Sequence, residues 1–266
     1  MLVNMFVYNI TMKRFKHSGA FGDLIYSLPI VKHFGGGEFY LHLNQINWIG
    51  QHYYGSQPDP VHQGRLTEQD SEFLRDFIEA QSYISRFDVL DKNTEITHNL
   101  DRFRVPFVGH PGNYVDIYSS VFGIKDPVVA QQIRTTPWLT VPKTTVIEGR
   151  DIVINRTARW LPPELPEQWA QWKSQGWESR TVFVGTEAEH QAFQTNTGWS
   201  IPWQPTKTML ELAKVIAGSN IFVGNQSVAL AIAIGLGKNY YCELRRDLPV
   251  TRNECYFPDQ PGGNYF

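Results

Sequence analysis

Ile221 to Gly237 reads IFVGNQSVALAIAIGLG. Asn220 to Val223 (NIFV) is an apolar run of strand length, and Asn225 to Leu236 is a longer apolar stretch of helix length that Gly237 stops. The same alternation extends outward. Asp151 to Asn155 (DIVIN) and Arg180 to Val184 (RTVFV) have the pattern of buried strands, Ser200 and Ile201 of a brief one, and Asn239 to Leu244 of the last. Between them lie three helices: Pro166 to Gln175, opened by a proline; Glu187 to Gln194; and Thr206 to Ala217, with a threonine N-cap and Gly218 as its stop. Strands and helices alternating over short loops imply a parallel sheet with crossover helices, because parallel neighbours need a long return path. The second half of the chain is therefore expected to be a Rossmann-like α/β unit.

The first half opens the same way, with a strand ending near Lys16, a glycine-containing loop, and a helix from about Asp23 to His33. A second strand, Glu38 to Leu43, follows the turn Gly35-Gly36-Gly37; an extended piece is expected at Tyr83 to Val89, and helices at Glu68 to Ala80 and Asn113 to Phe122. Asn44 to Arg65 carries no clear period and reads as a long loop of the kind that is mobile or functional. Trp138 to Glu148, which contains Pro142, is the expected interdomain linker. The fold expected is thus α/β: two Rossmann-like domains facing each other across a cleft, residues 1–145 and 146–266, each with its own core.

The composition, 42% hydrophobic and 19% charged, is that of a folded protein and excludes a disordered one. A net charge of -2 provides no global positive field for a polyanion, so nucleic acid is disfavoured as a partner, although a local basic patch would still allow it. Cys242 and Cys255 make no disulfide framework and read as reduced thiols. Met1 to Ile10 is interrupted by Asn4 and Asn9 and lacks the charged start and cleavage site of a signal peptide, and no segment approaches the ~20 apolar residues of a membrane span. A cytoplasmic protein without a membrane span is expected. The eight histidines show no H-E-x-x-H spacing and there is no C-x-x-C, so no metal site is expected. The chain also lacks a P-loop, a G-x-S-x-G elbow and a G-x-G-x-x-G fingerprint. Its tryptophans, Trp160, Trp169, Trp172 and Trp177 among them, are assigned to packing.

In a parallel sheet the ligand crevice lies beyond the carboxyl ends of the strands, so the strand-to-helix loops carry the candidates. In the first, Lys16 to Asp23 (KHSGAFGD), Gly19 and Gly22 allow close backbone approach. Asp23 at the helix start either caps free amides or serves as a general base at the mouth of the cleft. In the second, Asn155 to Pro163, Arg156 and Arg159 suit phosphate oxygens, or are ordinary surface arginines. In the third, Gly185, Thr186 and Glu187, the carboxylate can accept from ribose hydroxyls, or simply open a helix. The fourth is Gly224, Asn225, Gln226 and Ser227, where free amides and the helix dipole form an anion site fitted to a diphosphate and Gly224 lets the ligand come near. The bland alternative makes Asn225 a plain N-cap.

Together these loops resemble glycosyltransferase family 9, the ADP-heptose:lipopolysaccharide heptosyltransferases and their relatives. The resemblance rests on Lys16 to Val31 (KHSGAFGDLIYSLPIV), Arg159-Trp160-Leu161-Pro162, Val182 to Phe193 (VFVGTEAEHQAF), Met209 to Gly218 (MLELAKVIAG) and Ile221 to Gly237. It covers the opening stretch and most of residues 150–245, and leaves the region between unmatched. It implies the GT-B fold and transfer of a sugar from a nucleotide-diphosphate donor to a hydroxyl acceptor such as a glycan. Asp23 falls on the family's proposed catalytic aspartate, and the arginine loop and the Gly224 loop on its donor site. The implied chemistry is inverting and metal-independent, with no cofactor beyond the nucleotide sugar as co-substrate. The chain departs from the family in carrying Asn225-Gln226-Ser227 in place of Asp-Thr-Gly, and Leu230 in place of a helix histidine. Two alternatives stay open: a glycosyltransferase acting on a modified DNA base, and a non-catalytic nucleotide- or glycan-binding relative. An epimerase would need paired acids that the sequence does not place.

Overall fold

The computed structural model describes residues 12–45, 66–104, 112–245, 247, 256–257 and 259–266. Met1 to Ile10, most of the long loop expected at Asn44 to Arg65, and Cys255 lie outside them. The first half contains β1 (Arg14–His17), α1 (Phe21–His33), β2 (Gly37–Leu41), α2 (Glu68–Glu79), β3 (Ile84–Val89), β4 (His98–Asn99), α3 (Tyr114–Val121) and α4 (Pro127–Thr135). The second contains β5 (Ile152–Asn155), α5 (Gln168–Ser174), β6 (Thr181–Val184), α6 (Glu187–Thr197), β7 (Trp203–Gln204), α7 (Met209–Gly218), β8 (Ile221–Asn225), α8 (Val228–Gly235), β9 (Asn239–Glu243) and β10 (Gly263–Tyr265).

The described strands form two sheets, ordered β3-β2-β1-β4 and β10-β9-β8-β5-β6-β7, with every pairing parallel. In each the chain starts in the middle, winds to one edge, then returns to build the other side. The order therefore reverses between β1 and β4, and between β5 and β8, and a crevice opens beyond the carboxyl ends of strands at such a reversal. At the centre of the second sheet, Val153 of β5 lies opposite both Val182 and Phe222.

Helix α8, VALAIAIG, is apolar all round because it is covered on all sides. It packs on β8 and β9 of its own sheet and against α7 and α1. Ser227 caps its start by accepting from the Leu230 N–H. At its end Gly237, at φ 70, lets the Gly237 and Lys238 amides return to the Ile234 and Ala233 carbonyls, the Schellman arrangement that needs a left-handed residue.

Three expected boundaries move. The helix placed at Asn225 to Leu236 begins at Val228, because Asn225 is the last residue of β8. The helix over Thr206 to Ala217 is capped by Thr208, and Gly218 is its last residue, not its stop; a methyl group there would collide with the Thr145 carbonyl oxygen. The brief strand at Ser200 and Ile201 forms instead at Trp203–Gln204, while the Ile201 side chain is buried beside the tryptophan cluster.

The hydrophobic packing does not divide at the expected domain boundary. One hydrophobic cluster runs from Phe15, Leu28 and Phe39 in the first half to Ala213, Leu230 and Ile234 in the second, and α1 and α2 pack on α8 and α7. A second, smaller cluster of Trp169, Trp172, Trp199 and Phe193 lies in the second half alone. The segment expected as a linker is a weld at its start. Trp138 and Leu139 are buried, and both their amides donate to the Gly235 carbonyl at 2.9 Å. The Tyr83 hydroxyl donates to the Trp138 carbonyl, and the Gln81 side chain clasps Thr140.

This weld fixes how the halves are oriented. Lys32 in the last turn of α1 donates to Pro137, next to the residues that hold the end of α8. Two packed helices whose carboxyl ends meet one short segment run side by side in the same sense. The carboxyl ends of α1 and α8 are thus anchored at the same segment, Pro137 to Leu139.

Candidate functional site

In the second sheet the crevice lies between the loops that follow β5 and β8. Asn225, buried at the end of β8, spends its side chain on the β5 loop. Its Oδ1 accepts from the Thr157 N–H at 3.0 Å, and its Nδ2 donates to the Thr157 and Arg159 carbonyls at 2.9 and 2.6 Å. It is a loop clamp and not the N-cap. Trp160 within that loop sits at φ 58, a conformation costly for a bulky residue, so the clamp holds the loop in a shape it would not adopt alone.

The two arginines part company here. Arg156 is buried, and its Nε and Nη2 bind both oxygens of the fully buried Glu243 at 2.6 and 2.8 Å. That fork is occupied by a carboxylate, so its geometry is that of a strut between β5 and β9. Arg159 is exposed, and its guanidinium makes no hydrogen bond or ion pair among the described residues. Gly224 owes its lack of a side chain to the sheet: a methyl group there would collide with the Asn155 carbonyl and the Phe222 ring, so ligand approach is not what requires it. Gln226 is buried beside Ser227. The Val228 and Ala229 amides at the start of α8 have no acceptor among the described residues.

Asn155 donates to the Val184 carbonyl, while its Oδ1 is a buried acceptor without a partner among the described residues. Beside it Gly185, at φ 127, packs against Asn155 and Glu189. Thr186 caps α6 in a reciprocal box with Glu189, and Glu187 is an exposed first-turn residue.

In the first sheet the crevice lies between the loops after β1 and β4. Asp23 is half-buried in the first turn of α1; the N-cap position belongs to Ala20, which supplies no side-chain hydrogen bond. Capping by Asp23 as an Asx residue is therefore not what the geometry shows. The Phe21 and Gly22 amides have no acceptor among the described residues, and a methyl group on Gly22 would meet none of the described atoms outside its own turn within 4 Å. The Gly19 amide, by contrast, is spent on His17 Nδ1 at 2.9 Å.

Sequence reasoning missed three neighbours of this loop. Asp101, beyond β4, accepts from the Ser18 amide at 3.0 Å and pairs with Lys16 at 3.1 Å. His42, beyond β2, lies 3.3 Å from Lys16 Nζ, and burial together with the Lys16 charge holds its pKa below the ordinary value. Tyr118 on α3 joins His17 to Asp23. No motif marks them, since Asp101 and Tyr118 reach the loop across 83 and 101 residues of chain.

Among the described residues no group of three His, Cys, Asp or Glu is placed to hold a metal ion, and no helix is long and apolar enough to cross a membrane. Cys242 is a buried thiol in β9.

Neither a family model nor a curated protein matches the sequence. Solved structures do match the fold. A glycosyl transferase family 9 protein from Veillonella parvula DSM 2008 superposes with a TM-score of 0.60 at 11% identity, over 96% of this chain and 85% of that one. The heptosyltransferase WaaC of E. coli, solved with ADP, does so with a TM-score of 0.50 at 12% identity, over 95% of this chain and 92% of that one. At such identities the likeness is one of fold: two parallel α/β units in the glycosyltransferase GT-B arrangement.

Proposed function

We propose that this chain is a glycosyltransferase that moves a sugar from a nucleotide-diphosphate donor to a hydroxyl acceptor, most simply a glycan. One observation carries the proposal: the packing of α1 on α8 with their carboxyl ends anchored at one segment, each helix having unspent amides at its start beside a crevice where its sheet reverses order. The diphosphate lies over the Val228 and Ala229 amides, where the helix dipole favours negative charge, with Arg159 at its flank. The acceptor enters from the first half. Its hydroxyl gives its proton to the Asp23 carboxylate as its oxygen bonds to the anomeric carbon and the bond to the diphosphate oxygen breaks, which inverts that centre. The GT-B likeness supports this reading, and the replacement of the family's Asp by Asn225 is compatible with it, because backbone amides and a clamped loop do not require that acid.

A thermal-shift panel of ADP-, UDP- and GDP-hexoses identifies the donor, since a ligand of the native state raises its stability. With the donor so found, Asp23→Asn is expected to slow nucleotide diphosphate release ~10²- to 10⁴-fold with donor affinity little changed. Wild-type turnover by that variant sinks the base assignment, and a panel without any shift sinks the donor site. Phosphate neutralisation by amides and arginine makes the reaction metal-independent; loss of activity in EDTA, restored by magnesium, counts against this.

A further inference from the structure

We propose that His17 and Tyr118 form a positioning relay for Asp23, an inference that rests on the reading of Asp23 as the base. Both are fully buried. His17 Nδ1 faces the Gly19 amide at 2.9 Å, His17 Nε2 lies 2.8 Å from the Tyr118 hydroxyl, and that hydroxyl reaches the backbone carbonyl of Asp23 at 3.1 Å.

Proton arithmetic fixes the direction of this chain. Tyr118 has a single hydroxyl proton, and the Asp23 carbonyl can only accept. Once Tyr118 donates there, its oxygen must accept from His17, so Nε2 carries a proton. The Gly19 N–H independently requires a bare Nδ1. Both demands select the same species, the neutral imidazole protonated at Nε2, and imidazolium would set two N–H groups against each other at Gly19. The rings are held for this role: Phe103 lies against both His17 and Tyr118, at 6.0 and 4.6 Å between centroids.

The relay acts at the first turn of α1. Its first turn has no side-chain cap at Ala20, so the hydrogen bond from α3 to the Asp23 carbonyl supplies an outside hold on the turn that aims the carboxylate. His17 and Tyr118 are thus positioning residues acting through Asp23.

Two measurements test this. Imidazole ¹⁵N shifts of the full chain at neutral pH are expected to show His17 neutral and protonated at Nε2; a charged ring or the Nδ1–H form overturns the relay, whatever the enzyme's activity. In the second, nucleotide diphosphate release is followed with whichever of the ADP-, UDP- and GDP-hexoses gives the largest thermal shift. Tyr118→Phe keeps the ring and is expected to lower kcat by an order of ten- to a hundredfold, with KM for the donor within about twofold, because a misplaced reacting group is that costly. In an Asp23→Asn background the same change should alter kcat by less than about twofold, since an effect exerted through Asp23 disappears with it. Equal losses in the two backgrounds, or a change in KM alone, overturn the relay while leaving the base assignment standing. Wild-type turnover by Asp23→Asn itself overturns the base and the relay's function together.

Discussion

Gly22, in the first turn of α1, and Gly224, within β8, are glycine for different reasons. Gly224 has no room for a side chain because the Asn155 carbonyl and the Phe222 ring occupy the space. Gly22 has open space where its Cβ would be and lies in a helical turn, so the protein itself does not require a glycine there. Gly22→Ala is accordingly expected to stabilise the fold by about 0.4–1 kcal/mol, by reducing the freedom of the unfolded chain. If the open space belongs to a ligand, the same change raises KM for donor or acceptor; a thermal melt beside steady-state kinetics separates the two effects. A rise in stability with unchanged kinetics would place the ligand elsewhere. At this scale the candidate site was only half legible. Asp23, Arg159 and the start of α8 stand where their loops put them, whereas the roles of Arg156, Asn225 and Gly224 were set by partners in neighbouring strands.

Between elements, the pair Arg156–Glu243 ties the β5 loop to the end of β9 inside the sheet. Two charges out of water are tolerable only together. Glu243→Ala leaves a buried guanidinium unpaired and is expected to cost about 3–5 kcal/mol in urea unfolding, while replacing both residues by apolar ones of similar volume costs far less. A loss below ~1 kcal/mol for Glu243→Ala would mean that Arg156 escapes to solvent or to a phosphate. Elements themselves were read well where they are long or strongly apolar: β5, β6 and β8 lie close to their expected spans, and α7 and α8 were found but begin three residues later than expected. Those missed are short, β4 at two residues and β10 at three, too brief for a period to show, and the two-residue β7 was expected three residues early. Helix α4 is a different case. Asp126 followed by Pro127 is an N-cap and first-turn proline in plain view, a start signal present in the sequence.

For the whole molecule, one hydrophobic cluster joins the two α/β halves. A methyl group on Gly235 would lie 2.5 Å from Leu139 and 2.8 Å from the Trp138 indole nitrogen, so the connection between halves sits flush against the end of α8. Because burial at this seam belongs to both halves, unfolding is expected to proceed as one transition. Trp138→Ala should lower stability by about 3–5 kcal/mol and act on both halves at once. Calorimetry with two separate transitions in the wild type would show the halves to be independent instead.

The alternation of apolar runs, by itself, determined that the chain forms parallel α/β units and which loops lie at carboxyl ends of strands. It did so because period, length and glycine stops are local properties that every strand-to-helix unit carries within its own few residues. What the tertiary structure alone decided is which side chains meet in those loops: Asp101 with Ser18, Tyr118 with His17 and Asp23, Glu243 with Arg156. It also decided that the carboxyl ends of α1 and α8 meet at one buried segment, Pro137 to Leu139. Those are pairings between residues far apart in the chain, settled by strand order and by one buried seam, and no local pattern records them.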